Sequence, residues 1–508
     1  FLFKIGVNPV WSDLDVGFAP IVWLSFFAII LGSLTIVITF ASQNVPKLID
    51  LYMDHWPSLF FVWWAAACLI HAFTIKILSE AGVEIVSSLI FNYHVLLAVS
   101  LVIGFPFVLS ILKSTKTSNV IENLLQGSYA KFKRLAKKGP TGIISTEEHA
   151  KIQYQLFEEL NQLMDLLVFV PYKEPKSQII EGIGELLRYY VKLKPKFPEN
   201  FFKIDQQVHD DISFRTLKSL LAEVEKSHTF YEQKSFRMIG NVYNVFLDKG
   251  EFDLSTLCVE QLSQVGKTAI ECDDQDLIEV ITVRLNTYFR FALKHGQHNN
   301  EPRNLYNLVF HYGQFLSYLV EHSQVDRVKL CIGYFVFYGQ QCFNAIPRAR
   351  SLAFILDTLA SEMQKLMQII YQKNWERKLQ QELLQKFLLF DNFQDMDKEI
   401  AIQFFSQNHG IRLLHIGLAL FYLNQNEKEF AEKIAKDTLQ DLSLLGEPLF
   451  SKTMDTIFAR LQYSGAKFWE DTDRGNVNIY YTPYQYEIEY FKKIQVKFKH
   501  ESQKKIPA

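Results

Sequence analysis

The chain has 508 residues, 49% of them hydrophobic, with 53 Lys and Arg against 55 Asp and Glu and a mean hydropathy of +0.01. This excludes collagen-like, disordered and disulfide-dense classes, and the balanced charge excludes a protein that is acidic or basic as a whole. The apolar excess is local: residues 1–112 carry only 3 of the basic and 6 of the acidic side chains. The composition therefore reads as a membrane segment joined to a large soluble part.

Three stretches in residues 1–112 pass the length test for a membrane helix, about 20 mainly apolar residues across roughly 30 Å of hydrocarbon. They cover about 18–41, 57–75 and 88–112. A cleaved signal peptide is the rival reading of the first, but its apolar run is too long and only Lys4 precedes it as a basic residue. The basic residues Lys113, Lys116, Lys131, Lys133, Arg134, Lys137 and Lys138 follow the third span and place that end in the cytoplasm. Lys47 then puts the first connection inside, and Glu80 and Glu84 put the second outside. The chain opens on Phe1 rather than Met, so an upstream segment, even a fourth span, is a further expectation.

Ionisable residues within membrane helices are costly and mark candidate sites. His71 and Lys76 lie toward the outer end of the second span, and Asn92 and His94 lie within the third. An antiparallel hairpin brings the two imidazoles to similar depths, as a proton-sensitive pair or, with Asn92, as a polar contact between helices. The competing reading is interfacial histidines bonded to backbone, with Lys76 snorkelling to the headgroups. Gly104 and Pro106 predict a kink, and Trp56, Trp63 and Trp64 suit interface anchoring or lipid-facing bulk.

Residues 113–138 form a basic juxtamembrane helix with Ile121, Leu124, Leu125, Phe132 and Leu135 on one side. Two readings are open: it lies along an anionic leaflet, with its seven cations as headgroup contacts, or it is an ordinary helix carrying a topology signal. Gly139, Pro140 and Gly142 end it, and Ser145 with Glu148 has the capping-box spacing for the next.

Residues 145–200 read as a helical linker subdomain, with hinges at the Pro171–Pro175 and Pro195–Pro198 turns. Residues 201–470 read as an α-helical, solenoid-like domain of antiparallel pairs: 254–270 with 276–294, 304–321 with 325–345, 348–372 with 375–390, and 410–423 with 427–442. Gly313, Gly333 and Gly339 stand inside these helices at about 1 kcal/mol each relative to alanine, which close packing would offset. The pair around Gly417, Ala419, Ala431 and Ala435 resembles a tetratricopeptide unit in its small residues, yet no fixed period runs through the chain. The fold class is thus all-α: transmembrane helices, then an irregular, TPR-like α-solenoid.

Residues 475–508 change character. Tyr484, Tyr486, Ile488 and Tyr490, then Ile494, Val496 and Phe498, alternate with polar neighbours, which predicts an extended or β-hairpin arm. It either packs on the last helix or adds to a partner's sheet edge.

No Walker loop, dinucleotide fingerprint, zincin or nucleophile-elbow motif is present, and no cofactor is implied. His295 and His298 have metal-ligand residue types in a predicted turn, and His209 with Asp210 and Asp211 is similar; both read better as solvated clusters. The acidic turn at Glu271, Asp273, Asp274 and Asp276 lacks an EF-hand's glycine and spacing. The five cysteines form no CxxC pair and fit reduced packing residues, and basic residues are not interleaved with aromatics as a nucleic-acid groove requires.

The stretch Arg284–Tyr338, with FRFALKHG, EPRNLYNLVFHYGQFL and IGYFVFYGQ, resembles uncharacterised bacterial membrane proteins that join N-terminal spans to a cytoplasmic helical domain. The resemblance implies a bacterial inner membrane and carries no activity. The expectation is a non-enzymatic membrane scaffold or adaptor that self-associates as a homo-oligomer and binds other membrane or cytoplasmic proteins. The alternative is a subunit of an oligomeric ion channel or transporter with a cytoplasmic regulatory domain.

Overall fold

The computed structural model describes residues 16–44, 56–83, 85–114, 116–391, 398–472 and 475–503. The topology assignments made on Lys4, Lys47 and Glu84 lie outside the described residues, as do the side chains of Trp56 and Lys113. The chain divides into two compact units, residues 1–131 with 151–179, and residues 132–150 with 180–508.

The first unit begins with α1 (Phe18–Asn44), α2 (Trp56–Glu80), α3 (Val86–Ile90), a π-helical turn at Phe91–Leu96 and α4 (Leu97–Ser114). Two stretches, Phe60–Glu80 and Val86–Gly104, are long and apolar enough to cross a membrane; Phe18–Gly32 is a shorter apolar stretch within α1. Helix α1 packs on α2, and α2 on α4. Ala65 and Ala72 are fully buried among Trp23, Phe61, Ile75 and Leu89, and their small side chains let the backbones approach. Large apolar groups point outward as well, Trp63 at 74% and Val102 at 73% exposed. A helix apolar on every side, and not merely on one stripe, is the pattern of a lipid-facing element. The regular α geometry first breaks at the π turn, before Pro106, which stands inside a continuous α4.

Next come α5 (Thr117–Lys138), α6 (Thr146–Phe169) and α7 (Lys173–Leu193). The amide of Glu148 bonds to Ser145 Oγ at 3.3 Å, as the capping-box spacing predicts. Pro175 lies in the first turn of α7, where no intrahelical N–H is required, so it starts a helix and does not interrupt one.

After α8 (Gln206–His209) and α9 (Leu221–Lys226), the second unit is built largely from two rows of helices. One row contains α10 (Phe230–Lys249), α12 (Gln275–Asn299), α14 (Val325–Ala345) and α16 (Arg377–Phe387). The other contains α11 (Phe252–Glu271), α13 (Arg303–Glu321), α15 (Leu352–Gln372) and, after α17 (Lys398–Gln407), α18 (Gly410–Asn424). Each helix packs on the next member of its own row. Aromatic stacks join the first row: Tyr243 on Tyr288 at 4.4 Å, Phe289 on Tyr338 at 4.2 Å.

Glycines join the second row. A Cβ on Gly266 would stand 2.7 Å from the Phe315 ring, one on Gly313 2.5 Å from Glu362 Oε2, and one on Gly417 2.8 Å from Gln364 Nε2. Close packing thus offsets the helix-propensity penalty at Gly313, and at Gly339, whose neighbour is Phe390 at 2.7 Å. Gly333 departs from the expectation: nothing lies within 4 Å of its Cβ position, because it sits on the outward side of α14.

The unit closes with α19 (Lys428–Thr438), α20 (Gln440–Leu445), α21 (Glu447–Tyr463), an antiparallel pair β1 (Lys467–Thr472) and β2 (Gly475–Val477), and α22 (Ile488–Gln503). The strand reading of Tyr484–Phe498 is corrected: Gln485–Glu487 is a 3-10 turn and the residues from Ile488 onward form a helix. Ile488, Phe491, Ile494, Gln495 and Phe498 are the buried positions, a spacing of three to four. The apparent alternation of Ile494, Val496 and Phe498 arose because exposed Val496 is apolar too.

Candidate functional site

Of the four polar residues singled out within the apolar helices, the structure joins two and adds a third from another helix. Trp23 Nε1 on α1 donates to Asn92 Oδ1 at 2.7 Å, and Asn92 Nδ2, in the π turn, donates to His71 Nδ1 on α2 at 3.0 Å. Asn92 is fully buried, and His71 is half-buried. An Nδ1 that accepts leaves the proton of a neutral imidazole on Nε2. A second bond lies nearby: Trp64 Nε1 donates to Ser100 Oγ at 2.8 Å, and that hydroxyl donates to Leu96 O, at the end of the π turn, at 2.7 Å. Thus Trp64 is a helix-to-helix contact, whereas Trp63 is the outward-facing bulk. The partner found for His71 is Asn92; His94 is exposed and Lys76 half-buried. The arrangement fastens three helices through neutral groups.

The basic helix α5 uses part of its charge internally. Lys131 and Ser128 engage Glu159, while Arg134 and Lys138 both bond Glu148, at 2.7 and 2.6 Å. These cations hold the Glu148 carboxyl below its usual range. Lys116, Lys133 and Lys137 are exposed. Ile121, Leu124, Phe132 and Leu135 are fully buried, and Phe132 packs edge-on against Tyr190 and Tyr231. The apolar side of this helix is therefore covered by the protein itself and is not available to a leaflet.

The C-terminal residues lie against their own chain. Ile488, Ile494 and Phe498 are buried, Tyr484 meets Phe421, Tyr486 Oη donates to Asn424 Oδ1 at 2.5 Å, and Gln495 bonds Thr438 Oγ1 at 3.1 Å. Tyr490 and Val496 remain on the exposed side, with Lys428 over the Tyr490 ring. This helix closes the end of the α18–α19 pair.

A cluster that sequence reading missed is centred on Arg412, at the start of α18. Its Nε and one terminal nitrogen donate to the two oxygens of Asp441 at 2.7 Å each. The other terminal nitrogen donates to Asp437 Oδ2 at 2.7 Å and to His415 Nδ1 at 3.1 Å. Asp391, just beyond α16, approaches at 3.1 Å as an ion pair. Four segments thus converge on one rigid guanidinium, whose fork of five N–H groups suits such sharing.

Arg412 and His415 are both buried, and burial together with the Arg412 charge holds His415 neutral, which lets its Nδ1 accept. Three carboxylates exceed what one cation neutralises. Burial, with Asp437 and Asp441 adding to it against the pull of Arg412, pushes Asp391 up to about 7, and burial raises Asp437. A cavity of about 540 Å³ opens on this cluster, lined by Gln385, Asp391, Arg412, Lys433, Lys436 and Asp437. A sequence signal existed: Arg412 and His415 interrupt the otherwise apolar GIRLLHIGLALFYLN, and Asp437 and Asp441 stand four residues apart, at the spacing of helical neighbours.

The remaining clusters resolve structurally. Asp274 accepts from Leu277 N at 3.0 Å as the cap of α12 and pairs with Lys194 at 2.7 Å, which also pairs with buried Glu232 at 2.9 Å. Asp211 caps a 3-10 turn and binds buried Lys234. His295 and His298 are not in a turn, because α12 continues to Asn299. Among the described residues no group of three or more His, Cys, Asp or Glu is placed to hold a metal ion. Cys258, Cys331 and Cys342 are buried free thiols, raised by that burial.

No known protein family, curated protein or solved structure matches this chain.

Proposed function

We propose that this protein is a non-enzymatic membrane scaffold or adaptor whose irregular α-solenoid binds protein partners and a second copy of the chain. The observation that carries the reading is the asymmetry between the two helix rows. Val245, Val283, Leu330 and Phe337 are exposed on the row α10, α12, α14 and α16, against Phe354 on the other. Around Leu330 and Phe337 the surface opens as a groove of about 670 Å³ over the bare backbone of Gly333. An exposed apolar groove of this kind marks protein contacts, and extended helical stacks use such surfaces for binding.

The two long apolar helices support a membrane anchor. The lysines after the third span, together with the resemblance over Arg284–Tyr338, support a bacterial inner membrane with the large unit in the cytoplasm. Mass measurement of the detergent-solubilised protein tests self-association. A homo-oligomer that Leu330→Glu with Phe337→Glu converts to monomer is expected; a strict monomer at micromolar concentration, with nothing co-purifying, refutes the reading.

A further inference from the structure

The end of α6 carries apolar side chains that its own unit leaves uncovered. Leu166 and Leu167 are buried, but Val168 and Phe169 are more than half exposed and Tyr172 is 73% exposed. Lys173 and Glu174 follow, both exposed. This segment belongs to the same compact unit as α1, α2 and α4.

Contact register sets its level. Helices α5 and α6 run antiparallel, because Glu159 meets Ser128 and Lys131, whereas Glu148, earlier on α6, meets Arg134 and Lys138, later on α5. From Glu159 to Phe169 is a rise of about 15 Å, and from Ser128 back to Thr117 about 17 Å, at about 1.5 Å per residue. Phe169 therefore comes level with Thr117, within about one turn. Thr117 follows the last residue of α4, Ser114, by only three positions, a reach of at most about 11 Å. The uncovered Phe and Tyr thus stand where the chain leaves its third apolar span, beside exposed Lys116 and Lys173. Aromatic rings with neighbouring lysines are the composition of a bilayer interface, where ring and ammonium meet headgroups.

We propose that Val168–Tyr172 is an interfacial membrane anchor, with Phe169 and Tyr172 seated in the headgroup layer of the leaflet from which α4 emerges. The occupant is the lipid bilayer itself. The inference rests on the membrane reading of the first unit and adds a contact from a segment far beyond the spans.

The test is depth-dependent fluorescence quenching of the full chain in nanodiscs of phosphatidylcholine with phosphatidylglycerol. In a Cys272→Ser background the other four cysteines are buried, and an environment-sensitive nitrobenzoxadiazole probe is attached at Tyr172→Cys or, separately, at Trp63→Cys. A spin label at the headgroup is expected to quench the Tyr172→Cys probe about twofold or more, and beyond the effect of an acyl-chain label; the acyl-chain label is expected to dominate at Trp63→Cys. Quenching at Trp63→Cys with none at Tyr172→Cys overturns the anchor and leaves the membrane reading standing. Stronger quenching at Tyr172→Cys from the acyl-chain label than from the headgroup label overturns the interfacial placement. No quenching at either position refutes the membrane reading and the anchor together.

Discussion

The two units each hold a polar junction where several helices meet, and the junctions are built from opposite materials. In the first, Trp23, Asn92 and His71 join three apolar helices through neutral donors and acceptors. In the second, Arg412 collects Asp391, Asp437, Asp441 and neutral His415. Helices with lipid-like exteriors gain little from mutual apolar contact, so a few neutral hydrogen bonds and small residues specify their pairing without burying charge. The second unit already has a large apolar core, and its buried ions lock four segments into one register. Such a lock contributes less net stability than its short distances suggest, because desolvation offsets the attraction.

Removing the centre of each junction separates the two most sharply. Arg412→Met strands buried carboxylates and is expected to destabilise the second unit by about 3–5 kcal/mol, read by chemical denaturation; a loss under about 1 kcal/mol would mean the cluster is solvated. Gly266→Ala drives a methyl into the Phe315 ring and should lose about 1–3 kcal/mol through overpacking. Asn92→Leu breaks two neutral bonds and should lower stability in detergent by about 1 kcal/mol. A loss as large as that of Arg412→Met would erase the contrast.

The ionic junction should respond to pH. Asp391 stands at about 7 in the folded chain, above the ordinary carboxyl value near 4, so the folded state holds its proton more tightly. That contribution is complete below about pH 4 and is lost as pH rises toward about 7. Asp391→Asn should flatten this fall in stability, measured by denaturation at about pH 5 and about pH 8; an unchanged slope would assign the proton elsewhere, with Asp357, also near 7, the first alternative. The smallest effect is at Gly333, where within one copy of the chain Ala meets open space and, in the Leu330→Glu, Phe337→Glu monomer, should stabilise by about 0.4–1 kcal/mol. A loss there would show that α14 is covered in solution.

The helix pairs were legible because each apolar stripe repeats at helical spacing: the paired helices from Leu254 to Phe390 lie within a few residues of their sequence-derived bounds. Ile488–Phe498 was misread because an exposed valine in a short helix imitates a period of two. The Arg412 junction went unread because its members come from four segments spread over fifty residues. His71 and Asn92 were legible as polar residues in apolar runs, but Trp23, one more residue of such a run, gave no sign that its indole would complete the contact.

The sequence alone therefore determined the division into an apolar N-terminal part and a charged helical remainder, and most helix positions, because composition and periodicity are local properties of the chain. Only the tertiary structure decided which helices stack into which row, where glycine admits a neighbour, and which charges share one guanidinium. Those outcomes depend on contacts between residues distant in sequence, and no local pattern encodes them.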